Sequence, residues 1–309
     1  MPYERAESLI GSTALLELKN IEISENLSAH LYGKMEFLNP TGSAKDRAAK
    51  EILDDAERRG VLKPGGVVVE ATSGNTGISL ASLCSQRGYH AIIILPDNMS
   101  KERILLMRAY GADVLLSDGK KGMAGSLEKL EEVKARFPDA FEAGQFTNPA
   151  NAAAHYKTTG PEIFRDLPET DIFVAGIGTG GTITGTGRYL KEQNPAIQIV
   201  GVEPASSPLL TKGTAGPHGL QGIGANFIPE ILDRNILDEV LPVEDEDAFQ
   251  TARLLGKKEG LLLGITSGAA VFAAITLAKR KENTGKRIVA LLPDSGDRYL
   301  SSSVFNSEE

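Results

Sequence analysis

VVVEATSGNTGISLASLCSQRGYHAIIILP, residues 67–96, decides the fold class. The opening run, VVVE, is short, β-branched and bounded by the turn formers of TSGNTG. Helical spacing follows through ISLASLCSQRG, and a second aliphatic run, AIIILP, closes the unit. Strands apolar at every position are buried on both faces, as in parallel sheets covered by crossover helices. RILLMRAYG and ADVLLSD continue this series up to residue 118. The same order recurs in DIFVAGIGTGGTITGTGRYLKEQNPAIQIVGVEP (171–204). A later helical pattern, GITSGAAVFAAITLAKRK (264–281), leads into RIVALLPD (287–294). The polar, turn-rich QFTNPAN (145–151) separates the two groups. The expectation is an α/β protein of two lobes, each a mostly parallel twisted sheet flanked by helices, with a cleft between them. Ligands bind at the loop edge of such sheets.

Composition narrows the function. The 309 residues are 41% hydrophobic and 24% charged, with a net charge of −8 and no long basic run, which argues against a nucleic-acid partner. A single cysteine, Cys84, excludes an intrachain disulfide and a cysteine-based zinc site, and its helical setting marks it as a small buried hydrophobe. His30, His90, His155 and His218 lack metal-ligand spacing, so no metal is expected. Apolar runs such as AIIIL fall far short of a membrane span, and MPYERAESLIGST has no signal-peptide core. The expected location is the cytoplasm, with no membrane contact.

Three loops carry candidate chemistry. In NPTGSAKDR (39–47), turn formers precede a helical pattern with Ala48, Ala49, Ile52, Leu53 and Ala56 on one face; Thr41 or Ser43 is the candidate cap. Lys45 then projects from the first turn, where the positive helix end disfavours an ammonium and favours a reactive amine. TSGNTG (72–77) joins a strand to a helix start and adds Thr72, Ser73, Asn75 and Thr76 to its amides, a neutral donor set suited to a carboxylate. GIGTGGTITGTG (176–187) satisfies G-x-G-x-x-G, with Glu203 near the separation of a ribose-binding acid, so a nicotinamide dehydrogenase is a competing reading. Its centre, Gly178, Thr179, Gly180, Gly181 and Thr182, makes a compact cup of amides and hydroxyls better shaped for one terminal phosphate. Thr266 and Ser267 stand at a further loop-to-helix start. A phosphate cup, a reactive lysine, a carboxylate loop and a hydroxyl together match pyridoxal 5′-phosphate with an amino-acid substrate.

These motifs, with LIGSTALLEL (9–18), HYKTTGPEI (155–163), QGIGANFIP (221–229) and LPDSGDRYLSS (292–302), resemble the cysteine synthase (O-acetylserine sulfhydrylase) group of fold-type II pyridoxal phosphate enzymes, which are tryptophan synthase β-like. Ser12, Ala14, Thr266 and Asn226 depart from the usual Asn, Pro, Ser and Gly. The resemblance implies that Lys45 forms the imine with the cofactor. It places the phosphate at Gly178–Thr182, Asn75 beside the phenolic oxygen and Thr266 at the ring nitrogen. It also implies that Thr72, Ser73, Asn75, Thr76, Gln145 and Gly222 bind substrate. The implied domains are a smaller mobile one, 38–147, and a larger cofactor-binding one, 1–37 plus 148–309. The implied reaction converts O-acetyl-L-serine and sulfide into L-cysteine and acetate in a homodimer that can bind the serine acetyltransferase C-terminal tail. Alternatives within the group are cystathionine β-synthase-like and O-phosphoserine sulfhydrylase activity. Outside it stand the dehydrogenase and a non-catalytic partner of serine acetyltransferase. Arg298 and Tyr299 are expected to be packing or solvated residues.

Overall fold

The computed structural model of the chain describes residues 3–72 and 74–305. Its first six strands are β1 (Leu15–Glu17), β2 (His30–Met35), β3 (Val67–Ala71), β4 (His90–Pro96), β5 (Asp113–Ser117) and β6 (Phe141–Glu142). The rest are β7 (Ile172–Gly176), β8 (Gln198–Pro204), β9 (Glu239–Val243) and β10 (Arg287–Leu292). Around them lie α1 (Lys19–Ser24), α2 (Lys45–Arg58), α3 (Asn75–Arg87), α4 (Lys101–Ala109), α5 (Gly122–Arg136) and α6 (Ala150–Lys157). The later helices are α7 (Thr159–Asp166), α8 (Gly181–Gln193), α9 (Leu209–Lys212), α10 (Asp245–Glu259) and α11 (Ile265–Ala278). The smaller sheet, ordered β5-β4-β3-β6, is parallel throughout. The larger, β1-β2-β10-β7-β8-β9, is parallel except for the antiparallel β1–β2 pair. The two-sheet α/β architecture is the expected one.

The double burial of the strands explains their unbroken apolar runs. On β3 and β4, Val68, Ile93 and Leu95 join the core with α2 and α3, whereas Val69, Ile92 and Ile94 meet Leu130 and Val133 of α5. On β7, Ile172 and Val174 face α11 and α10, and Phe173 and Ala175 face α8. Burying each such side chain contributes about 1.5–3 kcal/mol, so both faces hold the sheet. Helix ends follow local rules. Gly88 takes the left-handed conformation after α3 and returns its N–H to Cys84. Asp245, Glu246 and Asp247 open α10, and Lys257 and Lys258 close it, each sign matching the helix dipole.

The strands that the periodicity does not reveal are β1, β2, β6 and β9. β2 reads HLYGKM, and its Lys34 is wholly buried because a distant carboxylate, Glu162, meets the amine at 2.7 Å. β9 contains Pro242, tolerated because this strand lies at the sheet edge and pairs only with β8. The loops after β3, β7 and β10 lie at the carboxyl ends of parallel strands, where the two sheets bring them together.

Candidate functional site

Lys45 opens α2, and the predicted face of Ala48, Ala49, Ile52, Leu53 and Ala56 is buried. The expected capping is not the one observed. Ala44 takes the N-cap position and Ser43 Oγ meets the Lys45 amide only at 3.3 Å. Thr41 instead donates its amide (2.8 Å) and its hydroxyl to Asp46, and Ser79 of α3 donates to the same carboxylate at 2.6 Å. Asp46 thereby folds the loop back over the helix start. The half-buried Lys45 amine has no hydrogen-bond partner among the described residues. Burial pushes its pKa down, while the nearby Asp294 carboxylate resists. The amine is thus biased towards its neutral, nucleophilic form.

The glycine loop after β7 meets the loop carrying Gly222. A Cβ on Gly178 would lie 2.4 Å from the Gly222 carbonyl oxygen, so only glycine permits this approach. Gly180 is left-handed and α8 begins at Gly181; past the Gly181 amide, which turns back to Thr179, the first turn of such a helix presents its amides to an anion. Thr179 Oγ1 accepts the Gly181 amide at 3.3 Å, and Thr182 Oγ1 lies 3.1 Å from His155 Nε2. His155 is fully buried, its other ring nitrogen 2.9 Å from Thr159 Oγ1, and burial pushes its pKa down to about 3. It is therefore a neutral ring that orients a hydroxyl. Thr266, buried at the start of α11, lies beside Gly222; a Cβ there would sit 3.3 Å from its Cγ2.

On the opposite side, Thr72 Oγ1 accepts the Gly74 amide at 3.1 Å, and Thr76 donates to Gln145 Oε1 at 2.5 Å. Gln145 Nε2 donates to Ala71 O at 3.2 Å. Ser73 lies outside the described residues. The buried Glu70 accepts the amides of Gly144 (2.7 Å) and Gln145 (3.4 Å). Burial pushes its carboxyl up to about 8, against the pull of those two amides. A carboxyl kept neutral by the fold stabilises the folded state below its ordinary pKa of 4.5, and that contribution is lost as pH rises towards 8. Glu70→Gln, neutral throughout and still an acceptor, is expected to flatten the wild-type decline in stability across this window. Denaturant titrations at both ends of the window check it; a decline of unchanged slope in the variant overturns the assignment.

Several residues in the cleft were not read as functional. Asp294, just beyond β10, accepts Asn75 Nδ2 at 2.8 Å and the Tyr299 hydroxyl at 2.7 Å. Arg298 donates to Asn75 Oδ1 and to the Thr41 carbonyl. Arg298 and Asp294 thus clamp the two ends of the Asn75 amide, Tyr299 supports Asp294, and with both Arg298 and Tyr299 buried the packing alternative holds and the solvated one does not. Arg103 of α4 stacks over the Tyr299 ring at 4.8 Å and donates to Gln221 Oε1 at 2.6 Å. These contacts join segments far apart in the chain, and no local pattern announces them. Asn226 holds a left-handed backbone and accepts from Ser207 at 2.7 Å. Cys84 is buried as expected.

The competing dehydrogenase reading needs Glu203 free for a ribose. Its carboxylate instead accepts the Leu210 amide at 2.8 Å, the Thr211 amide at 3.1 Å and the Thr211 hydroxyl. It is committed to holding α9.

The description "Pyridoxal-phosphate dependent enzyme" belongs to the family whose model matches residues 6–294. A probable cysteine synthase of Bacillus subtilis is 49% identical over 302 residues, covering 96% of each chain. A cysteine synthase of Staphylococcus aureus is 44% identical over 310 residues, covering 100% of this chain and 99% of its own. The solved structure of cysteine synthase (OASS) from Entamoeba histolytica superposes with a TM-score of 0.96 at 40% identity, covering 100% of this chain and 92% of that one. With a match across nearly the whole length, this chain belongs to the pyridoxal-phosphate dependent enzyme family.

Proposed function

We propose that this protein makes L-cysteine and acetate from O-acetyl-L-serine and sulfide. The observation that carries the reading is the Lys45 amine, without a hydrogen-bond partner among the described residues and with its pKa lowered by burial near Asp294, the carboxylate that also holds Asn75 of the carboxylate-type loop. Relatives named cysteine synthase support the choice of reaction.

The donor set fits pyridoxal phosphate. The open amides of α8, with Thr179 and Thr182, suit a phosphate. Lys45 offers a free amine for an aldehyde. Thr266 presents a neutral hydroxyl, not a carboxylate, for the ring nitrogen, which leaves the ring less electron-withdrawing than a charged partner would. When bound, the cofactor supplies a carbonyl that condenses with amines and a ring that draws electrons from Cα.

The chain's own residues then divide the work. Asn75 would hold the phenolic oxygen of the cofactor. Thr72, Ser73, Thr76, Gln145 and Gly222, with Asn75, hold the amino-acid carboxylate. Lys45, released and neutral, takes the proton from Cα as acetate leaves Cβ with its bonding electrons. It returns that proton to Cα once sulfide has added at Cβ. Residues 38–147 move as one smaller domain over the larger one, 1–37 plus 148–309, and exclude water as the carboxylate is gripped. We assign the working unit as a cytoplasmic homodimer able to receive the serine acetyltransferase tail; among the described residues no helix is long and apolar enough to cross a membrane.

The test is a steady-state assay with the cofactor-loaded protein. Cysteine and acetate are expected in equal amounts, with parallel double-reciprocal lines because acetate leaves before sulfide enters. Bound cofactor without turnover of O-acetylserine would redirect the reading to other β-substituted serines.

A further inference from the structure

Asn151 belongs to the QFTNPAN segment, and the functional assignment gives it no task. It opens α6, which packs along α8, and is 1% exposed. Its Nδ2 makes two hydrogen bonds, to the Gln145 carbonyl at 2.8 Å and to Thr179 Oγ1 at 3.0 Å. One amide group, with two hydrogens to give, thus touches both halves of the site. Gly181 makes this approach possible, since a Cβ there would lie 2.1 Å from Asn151 Oδ1.

The consequence for Thr179 follows from counting. A hydroxyl has two lone pairs and one hydrogen. Thr179 Oγ1 accepts from Asn151 Nδ2 and from the Gly181 amide, so both lone pairs are engaged. Its hydrogen is left to donate to another acceptor, and the open end of α8 is where an anion's oxygen comes to rest. On the other side, Gln145 is held by its carbonyl through Asn151, by its amide through Glu70 and by its side chain through Thr76 and the Ala71 carbonyl, which leaves one Nε2 hydrogen to give to substrate. We infer that Asn151 is a positioning residue that sets Thr179 as a hydrogen-bond donor to the cofactor phosphate and holds Gln145 in register with it. This rests on the proposed roles of Thr179 and Gln145.

Two substitutions separate this role from a packing role. Asn151→Ala frees a lone pair on Thr179, so its hydrogen is no longer directed. Asn151→Asp keeps the shape but replaces the donor with an acceptor, which turns the Thr179 hydrogen away from the phosphate and adds a negative charge beside it. Each apoprotein is titrated with pyridoxal phosphate, following cofactor absorbance, with circular dichroism as the folding control. The dissociation constant is expected to rise about tenfold in Asn151→Ala, the scale of one hydrogen bond. In Asn151→Asp the rise should be larger and should shrink as the pH is lowered towards protonation of the carboxylate. A double-mutant cycle of Asn151→Ala with Thr179→Ala is expected to be non-additive. In the loaded Asn151→Ala enzyme, KM for O-acetylserine should rise more than kcat falls. Unchanged cofactor affinity in a folded variant, or additive losses in the cycle, overturns the inference. If Asn151→Ala does not fold, the pH dependence of Asn151→Asp decides alone, and its absence overturns it. The cofactor titration needs no substrate, so failure of the O-acetylserine reading would appear separately, as a wild-type enzyme that binds cofactor without turning over.

Discussion

Lys45→Ala is expected to fold and to lose catalysis. Lys45 opens a helix whose buried face, Ala48, Ala49, Ile52, Leu53 and Ala56, is untouched by the change. Two contributions disappear together, covalent anchorage of the cofactor and transfer of the proton at Cα. General acid–base catalysis alone is worth about 10²–10⁴-fold, so turnover should fall at least that far. Borohydride reduction should fix cofactor to the wild-type chain and not to the variant, a readout independent of substrate. Added small amines should restore part of the proton transfer but none of the anchorage. Undiminished activity in Lys45→Ala would remove the assignment.

The largest effect on stability is expected at Arg47, two residues further along the same helix. Its guanidinium is buried and donates to Glu36 at 2.6 and 2.8 Å and to both oxygens of Glu162 at 2.7 Å. Lys34 gives its amine to Glu162 and to the Thr13 carbonyl, and Thr13 donates to Glu36. Two cations and two anions are thus withdrawn from water with their hydrogen bonds met. Arg47→Met would leave Glu36 and Glu162 buried with Lys34 as the one remaining cation, and breaking such a pairing costs about 3–5 kcal/mol. Chemical denaturation should show that loss directly. The pH dependence supplies a second check. Burial pushes Glu162 up, but Arg47 and Lys34 outweigh it and hold its pKa at about 2, against an ordinary 4.5. Its stabilisation is complete above 4.5 and is lost as pH falls towards 2. The variant should lose much of this acid-linked slope. A wild-type slope in Arg47→Met would show that the network does not set the Glu162 charge.

Local rules made much of the molecule legible. β3, β4, β7, β8 and β10 announce themselves because both faces are buried and their central positions are aliphatic, and β5 through its short VLL run. The loops at Thr72–Thr76 and Gly178–Thr182 are visible because glycine and small hydroxyl residues cluster where a strand turns into a helix. Lys45 stands out for the same reason, as an amine at a helix start. What stayed hidden or open has a common origin in contacts beyond the local turn. Thr41 and Ser43 are ordinary capping residues, yet the Asp46 carboxylate, five residues after Thr41, takes the Thr41 donors. For Arg298 and Tyr299 the local sequence left packing and solvation both open, and Asn75 and Thr41, more than 200 residues earlier, decide it by taking the Arg298 guanidinium into the cleft.

The amino-acid sequence by itself determined the alternation of strands and helices, the sites of the phosphate-type and carboxylate-type loops, and the placing of Lys45 at the first turn of a helix. These depend on periodicity and on backbone preferences acting within a few residues. Only the tertiary structure decided which polar groups meet. It engaged Glu203 in holding α9, buried Lys34 inside a strand, closed Asp294 and Arg298 onto Asn75, and set Asn151 between Gln145 and Thr179. Each pairing offsets the cost of withdrawing a polar or charged group from water with a partner brought near by chain packing, and most of those partners are too distant in sequence for a local pattern to record.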